Sequence, residues 1–310
     1  MDPSHTRRTL PAVRLLRLGS LLAVVAAAVT VGASAAPARE QQRSASPAVF
    51  GGLGTWIDIY DTALYRTPNV VAARLAARGV STVWIETAND RSTVDVVSAS
   101  GLGRLIDALH VKGIEAVAWY LPGHDAQARD VRRALAMLSF RTQTGGAFDG
   151  VALDIESLRE KNVALRTKRM LALLARLRSA AGDVPVAAIT YPPRAFERHL
   201  TWWPGFPWAE IARQVDAVVP MLYTGGGFPG YDATYGYVAR SLRLLRAAVG
   251  QNLPVHAAGG VANRMSAEEL KAFADAVADD GSAVGWSLYD LQTTGAAAWR
   301  ALEPLSGLGK

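Results

Sequence analysis

The chain is 310 residues long, half hydrophobic and 19% charged, which is enough apolar material for a large core and too little charge for a disordered chain. It has no cysteine, so disulfides, thiolate metal sites and lipid attachment through sulfur are excluded. The formal charge is +6, yet Arg7, Arg8, Arg14 and Arg17 stand against one acid, Asp2, near the start; setting these aside from the 33 basic and 27 acidic residues leaves +3, with no dense Lys/Arg patch for nucleic acid.

Residues 1–35 read as an export signal. Arg7 to Arg17 form its basic region, Leu18 to Gly32 its apolar one, and Ala33-Ser34-Ala35 a small-x-small cleavage box. The paired Arg7-Arg8 leaves open a twin-arginine route. An uncleaved anchor is the alternative, since the apolar stretch is near the lower length limit for spanning a bilayer. Cleavage predicts a secreted or cell-envelope protein with no stable membrane insertion. Residues 36–49 are then a polar linker, and the folded domain spans 50–305.

Along that domain short apolar runs alternate with helical segments. The expected strands are TWIDIY (55–60), STVWIE (81–86), EAVAWY (115–120), GVALDI (150–155), VPVAAIT (184–190), DAVVPMLY (216–223), PVHAAG (254–259) and AVGWSL (283–288). Pro68 opens the first helix and Gly79 closes it; Gly113 and Gly182 close two others. Ser266 with Glu269 makes a capping box. Only the segment around Trp208–Gln214 is short for a full helix. Near-continuous apolar strands alternating with helices predict a parallel sheet covered on both faces, and the length predicts a single (β/α)8 TIM barrel of the α/β class. An open doubly wound sheet would need a glycine-rich loop between strand and helix, and the glycines at 51–54 and 101–103 are not so placed.

Barrel active sites form at the C-terminal strand ends. Those ends carry Asp58 and Asp61, Glu86, Tyr120 and His124, Asp154 and Glu156, Tyr191, Tyr223, His256, and Trp286 with Asp290. Most have an ordinary structural reading as well. Asp58 and Asp61 suit a loop cap, Glu86 a salt-bridged rim, His256 a satisfied core histidine, and Asp149-Gly150 a turn. The pair Asp154 and Glu156 is different. Side chains alternate along a strand, so both acids and Ala152 share one face of a run with no polar alternation, and buried acids are costly unless paired or functional.

The segment DGVALDIE (149–156) resembles the fourth-strand signature of family 18 glycoside hydrolases, the chitinase-like barrels, in which alternate acids end in the catalytic glutamate. MLY (221–223) resembles that family's sixth-strand motif, and WSLYD (286–290) its eighth-strand tryptophan segment. Ala152 stands where the series has its middle acid, Thr224 where an acid follows the tyrosine, and AVAWYLPG replaces the serine-and-glycine pattern of strand three. DIE with Asp58 is also somewhat similar to family 25 muramidases.

The first resemblance implies cleavage of O-glycosidic bonds in an N-acetylhexosamine polymer such as chitin or peptidoglycan. Glu156 would be the general acid, and Asp154 would raise its pKa by like-charge repulsion and orient the substrate's acetamido group, the internal nucleophile. Tyr223 would bond that group and Trp286 floor the sugar. Asp58, Glu86, Tyr120, Tyr191 and Asp290 complete the expected substrate-binding rim, flanked by loop aromatics in HLTWWPGFPW (199–208) and GGGFPGYDATYGY (225–237). Two other readings stay open. One is a barrel that binds glycan without cutting it, motivated by Ala152 and Thr224. The other is a glycosidase or muramidase using Glu156 with Asp58 or Glu86 as a carboxylate pair. No cofactor is expected, and no HxH or HExxH pattern points to a transition metal.

Overall fold

The apolar runs become eight strands, all parallel and each bonded to the next, with β8 closing onto β1 in the computed structural model. It describes residues 47–308; the expected export signal and all but the end of the polar linker lie outside them. In chain order the elements are β1 (Gly52–Ile57), α1 (Pro68–Ala76), β2 (Thr82–Asn89), α2 (Ala99–Val111), β3 (Glu115–Leu121), α3 (Gln127–Ser139), β4 (Gly150–Ile155) and α4 (Val163–Ala181). Then follow β5 (Val186–Thr190), the short α5 (Pro193–Arg198) and α6 (Trp208–Ala212), β6 (Ala217–Tyr223), α7 (Gly230–Val249), β7 (Val255–Gly260), α8 (Ala267–Asp280), β8 (Ala283–Tyr289) and α9 (Ala296–Leu302). The expected (β/α)8 barrel is the observed fold. No helix among the described residues is long and apolar enough to cross a membrane.

The local chemistry accounts for the punctuation. Pro68 sits in the first turn of α1, where its missing N–H costs nothing. The Ser266 hydroxyl accepts from Glu269 N while Glu269 accepts from Ser266 N, which closes the start of α8. The weak helical pattern after β5 resolves into two short helices instead of one.

Two packed regions share the strands. Outward side chains meet the helices in the larger core. The inward ones form a second cluster, in which β1–β3 supply Trp56, Trp84 and Trp119 and β4–β7 supply Ala152, Ala187, Ala217 and Ala258. Large residues on one wall thus face small ones on the other, which fills the barrel. Trp56 stacks on Trp84 with ring centroids 5.0 Å apart, and Trp119 meets Trp56 edge-on at 6.0 Å. Ala152 pairs in register with Trp119, so the position of the absent acid belongs to an apolar floor.

Strand β1 starts and ends three residues earlier than its hydrophobic pattern implied. Gly52 and Gly54 pair with Gly285 and Ser287 of β8, and the His256 ring fills the space that Gly54 and Gly285 leave; a Cβ on Gly54 would lie 2.8 Å from that ring. Asp58 therefore stands just beyond the strand, on the loop at the barrel mouth.

Candidate active site

Below the mouth runs a buried polar relay. Trp56 Nε1 donates to Ser287 Oγ at 2.8 Å, and Ser287 meets His256 Nε2 at 2.8 Å. His256 Nδ1 lies 2.8 Å from the Phe50 carbonyl, an acceptor only. Burial holds His256 neutral, with its pKa pushed down to about 4. The proton must then sit on Nδ1, leaving Nε2 to accept from Ser287. This orients Trp56, whose ring supports Tyr289 above it at 6.2 Å. His256 is thus a satisfied interior histidine.

The mouth itself is a ring of acids and tyrosines. Asp154, on β4, is 5% exposed, and its Oδ1 has no hydrogen-bond partner among the described residues. Burial pushes its pKa well up, and the neighbouring Glu156 and Glu86 push it further. Glu156, one residue past β4, is also raised, with burial as the first cause; the hydrogen-bonded Tyr191 hydroxyl opposes that rise. Like-charge repulsion was the expected cause, and the structure puts desolvation ahead of it. A protonated Asp154 carries no charge with which to repel its neighbour.

Glu86, on β2, is 4% exposed; its Oε2 accepts from Ile59 N at 3.1 Å, and burial lifts its pKa to about 7, with Asp58 and Glu156 adding to the rise. Asp58 Oδ1 accepts from Tyr60 N at 2.7 Å, and Oδ2 lies 3.4 Å from the Tyr289 hydroxyl. Asp61 and Asp290 stand beside Asp58, the three carboxylates offering atoms within 4.8 Å of one another. Burial, then Asp58, lifts Asp61 to about 7. This trio offers oxygen donors of the kind a hard cation takes, but Asp61 already accepts from Asp58 N and Asp290 from Thr293 N, so the acids also serve as loop caps. Tyr223, at the end of β6, lies 5.7 Å from Tyr289 ring to ring, and Asp154 and Glu156 both act on its hydroxyl.

Beside Glu156 opens a cleft of about 470 Å³, lined by Glu156, Tyr191, Leu121, Tyr60, Asn89 and the loops after β2 and β4. The structure thus brings together Asp58, Glu86, Asp154, Glu156, Tyr191, Tyr223 and Asp290 at one end of the barrel.

It does not bring Tyr120 or Trp286 there. On β3 the inward residues are Val117, Trp119 and Leu121; Tyr120 points at the helices and donates to Asp130 of α3 at 2.7 Å. On β8 Ser287 and Tyr289 face inward, so Trp286 faces out, beside Trp299 and Leu302 of α9. Both expectations are corrected by strand alternation. Tyr289 takes the place on β8 that the sequence motif assigned to Trp286. The signal was present in the small or polar residues Gly285 and Ser287, four and two residues before Tyr289 and on its face.

The loop aromatics are mostly packing. Trp203 is buried, bonds Thr167 through Nε1 at 2.9 Å and lies under Arg166; Phe206 and Trp208 pack on Phe196. Tyr231 and Tyr235 donate to Asp275 and Asp279 of α8. Trp202, stacked on His199 and 5.0 Å from Tyr191, is the member of the set that reaches the site. His124, on the loop after β3, is buried against Trp203 and does not line the cleft.

No known family profile matches the sequence, and neither does any curated protein. Solved structures do. The chitinase from Chromobacterium violaceum superposes with a TM-score of 0.59 at 14% identity, covering 84% of this chain and 99% of that one. The likeness is one of fold. The glycoside hydrolase domain of PgaB from Bordetella bronchiseptica gives 0.58 at 12% identity, covering 83% and 99%. The endo-1,4-beta-mannanase of Rhizomucor miehei gives 0.59 at 12%, covering 78% and 86%. The barrel is therefore built like those of chitinase-like and related glycoside hydrolases.

Proposed function

We propose that this chain is a glycoside hydrolase that cleaves an N-acetylhexosamine-containing polymer, chitin-like or peptidoglycan, with Glu156 as general acid. One observation carries the reading: Asp154 and Glu156 are adjacent on one strand face at the barrel mouth, both held toward the protonated form, and Glu156 opens onto a cleft. Glycoside cleavage needs a protonated carboxyl beside the leaving oxygen and an electron-rich group beneath the anomeric carbon.

Glu156 gives its proton to the leaving oxygen as the C–O bond breaks. The substrate's own acetamido oxygen closes on the anomeric carbon, oriented by Asp154 through its open Oδ1 and by the Tyr223 hydroxyl. Glu156, now a carboxylate, takes a proton from the water that reopens the ring. Asp58 and Asp290 bias the field at the mouth toward the positive charge that develops on the sugar. Tyr289 and Trp202 supply faces for pyranose rings.

The test is release of reducing ends from chitooligosaccharides and purified cell-wall glycan. Turnover no greater than that of Glu156→Gln on both substrates refutes the reading. A second reading rests on Glu86, buried at the same mouth and coupled in charge to Glu156. If those two carboxyls act as a protein pair, Glu86→Gln abolishes turnover and substrates without an acetamido group are cut as well. On this reading residues 1–35 carry the enzyme out of the cell; intact-mass measurement of the protein from culture medium and envelope fractions checks it, and a protein confined to the cytoplasm with those residues retained counts against it.

A further inference from the structure

The cleft beside Glu156 has a charge bias that the proposed reaction does not use. Its lining includes Arg91 on the loop after β2, and Arg159 and Lys161 on the loop after β4. The acids on this side are already taken. Asp90 and Asp125 both accept from Arg159, at 2.7 and 3.1 Å, and Asp125 also binds Arg129 at 2.6 Å. Glu160, next to Lys161, is held by Arg169 at 2.7 Å. Arg91 and Lys161 make no ion pair among the described residues, and both are exposed at the cleft edge. The remaining carboxyl in the lining is Glu156, which burial keeps toward its neutral form. Two positive charges are therefore left uncompensated over the space next to the acid. On the other side of Glu156 lie Asp154, Glu86 and the Asp58 trio.

Resting on the glycoside hydrolase reading, we infer that the cleft is the leaving-group side of the site and that it receives a sugar bearing an anionic substituent, a carboxylate or phosphate, held by Arg91 and Lys161. The chemistry agrees with the division. The ring that becomes positive sits among the acids, and the ring that departs sits among the bases. The guanidinium of Arg91 offers a fork suited to carboxylate or phosphate oxygens, and the Lys161 ammonium adds a mobile second charge. A neutral polymer gains no charge complementarity from either. The substrate class is then an anionic, acetamido-bearing glycan, and Arg91 and Lys161 are its specificity determinants.

Three soluble polymers on the same backbone provide the test: carboxymethyl-chitin, phosphorylated chitin and neutral glycol-chitin. Binding is measured by affinity electrophoresis and calorimetry with the full chain carrying Glu156→Gln, so that none is cut. The expected result is tighter binding of one or both anionic polymers than of glycol-chitin. Adding Arg91→Gln and Lys161→Gln weakens anionic binding about tenfold at low salt and leaves the neutral polymer unchanged. Adding Arg74→Gln and Lys112→Gln instead, the same charge change on exposed residues outside the cleft, has no such effect. Whichever anionic polymer responds to the cleft pair identifies the substituent. Equal binding of all three polymers, or equal losses from the cleft and control pairs, overturns the inference while leaving the hydrolase reading intact. No binding of any polymer overturns both.

Discussion

On the β8–β1–β2 side of the mouth, Asp58, Asp61, Glu86 and Asp290 crowd together with no cation paired to them among the described ion pairs. On the side formed by the loops after β2 and β4, Asp90, Asp125 and Glu160 are already bridged by Arg159, Arg129 and Arg169, which leaves Arg91 and Lys161 in excess. The contrast lies within one ring of loops, and Glu156 stands on the boundary. Burial favours the protonated form and the neighbouring acids add to it, which is why Asp61 and Glu86 are lifted to about 7. A carboxyl that burial holds toward its protonated form at this boundary is suited to give a proton to a leaving oxygen.

The largest expected effect comes from removing the group at the boundary. Glu156→Gln keeps the shape and the contact with Tyr191 but has no proton to donate, so kcat should fall by about 10²–10⁴-fold with the fold unchanged by circular dichroism. A loss under threefold would mean that the two sides do not meet at Glu156.

The acidic side should also show itself in stability. Asp61 and Glu86 have folded-state pKa values above their unfolded ones, so the stability linked to their protonation is full below about pH 4 and is lost as pH rises through about 7. The protein should melt about 5 °C higher at pH 5 than at pH 8, a difference of roughly 2 kcal/mol. Asp61→Asn should raise the melting temperature at pH 8 and flatten the dependence. A melting temperature that climbs between pH 5 and 8, with or without that substitution, would contradict the picture.

Beneath both sides, Ser287→Ala would leave Trp56 Nε1 and His256 Nε2 unpaired in the core. It should cost about 1–2 kcal/mol, read by chemical denaturation, and lower activity because Trp56 no longer holds Tyr289. The smallest effect is expected at the edge of the cleft: Trp202→Ala should raise KM a few-fold and leave kcat alone, since its ring meets Tyr191 at the rim and touches neither carboxyl. A fall in kcat instead would place it nearer the chemistry.

Much of the barrel was legible because parallel strands buried on both faces leave continuous apolar runs, such as GVALDI and AVGWSL, and because Pro68, Gly113 and the Ser266–Glu269 box mark the helices between them. That same continuity hid which face each residue takes. Tyr120 sits between Trp119 and Leu121, so no polar alternation revealed that it points at helices; at Trp286 the flanking Gly285 and Ser287 carried the signal, against the motif resemblance. The Asp154–Glu156 face was readable because the two acids stand two residues apart. The cause of their raised pKa values was not, because burial depends on Trp119, Tyr191 and Tyr223 arriving from other strands. The aromatics of 199–208 misled in the opposite way: hydrophobic loop residues suit a sugar groove and a loop's own packing equally, and the fold buries Trp203 and Phe206 and packs a half-buried Trp208 against them.

The account turns on Glu156 being the titrating acid, and the pH dependence of kcat/KM in Tyr191→Phe tests this most directly. The Tyr191 hydroxyl favours the charged form of Glu156 and lowers its pKa, so removing it should shift the alkaline limb of the profile to higher pH. An alkaline limb that stays in place in Tyr191→Phe, or moves to lower pH, would show that some other group carries the proton.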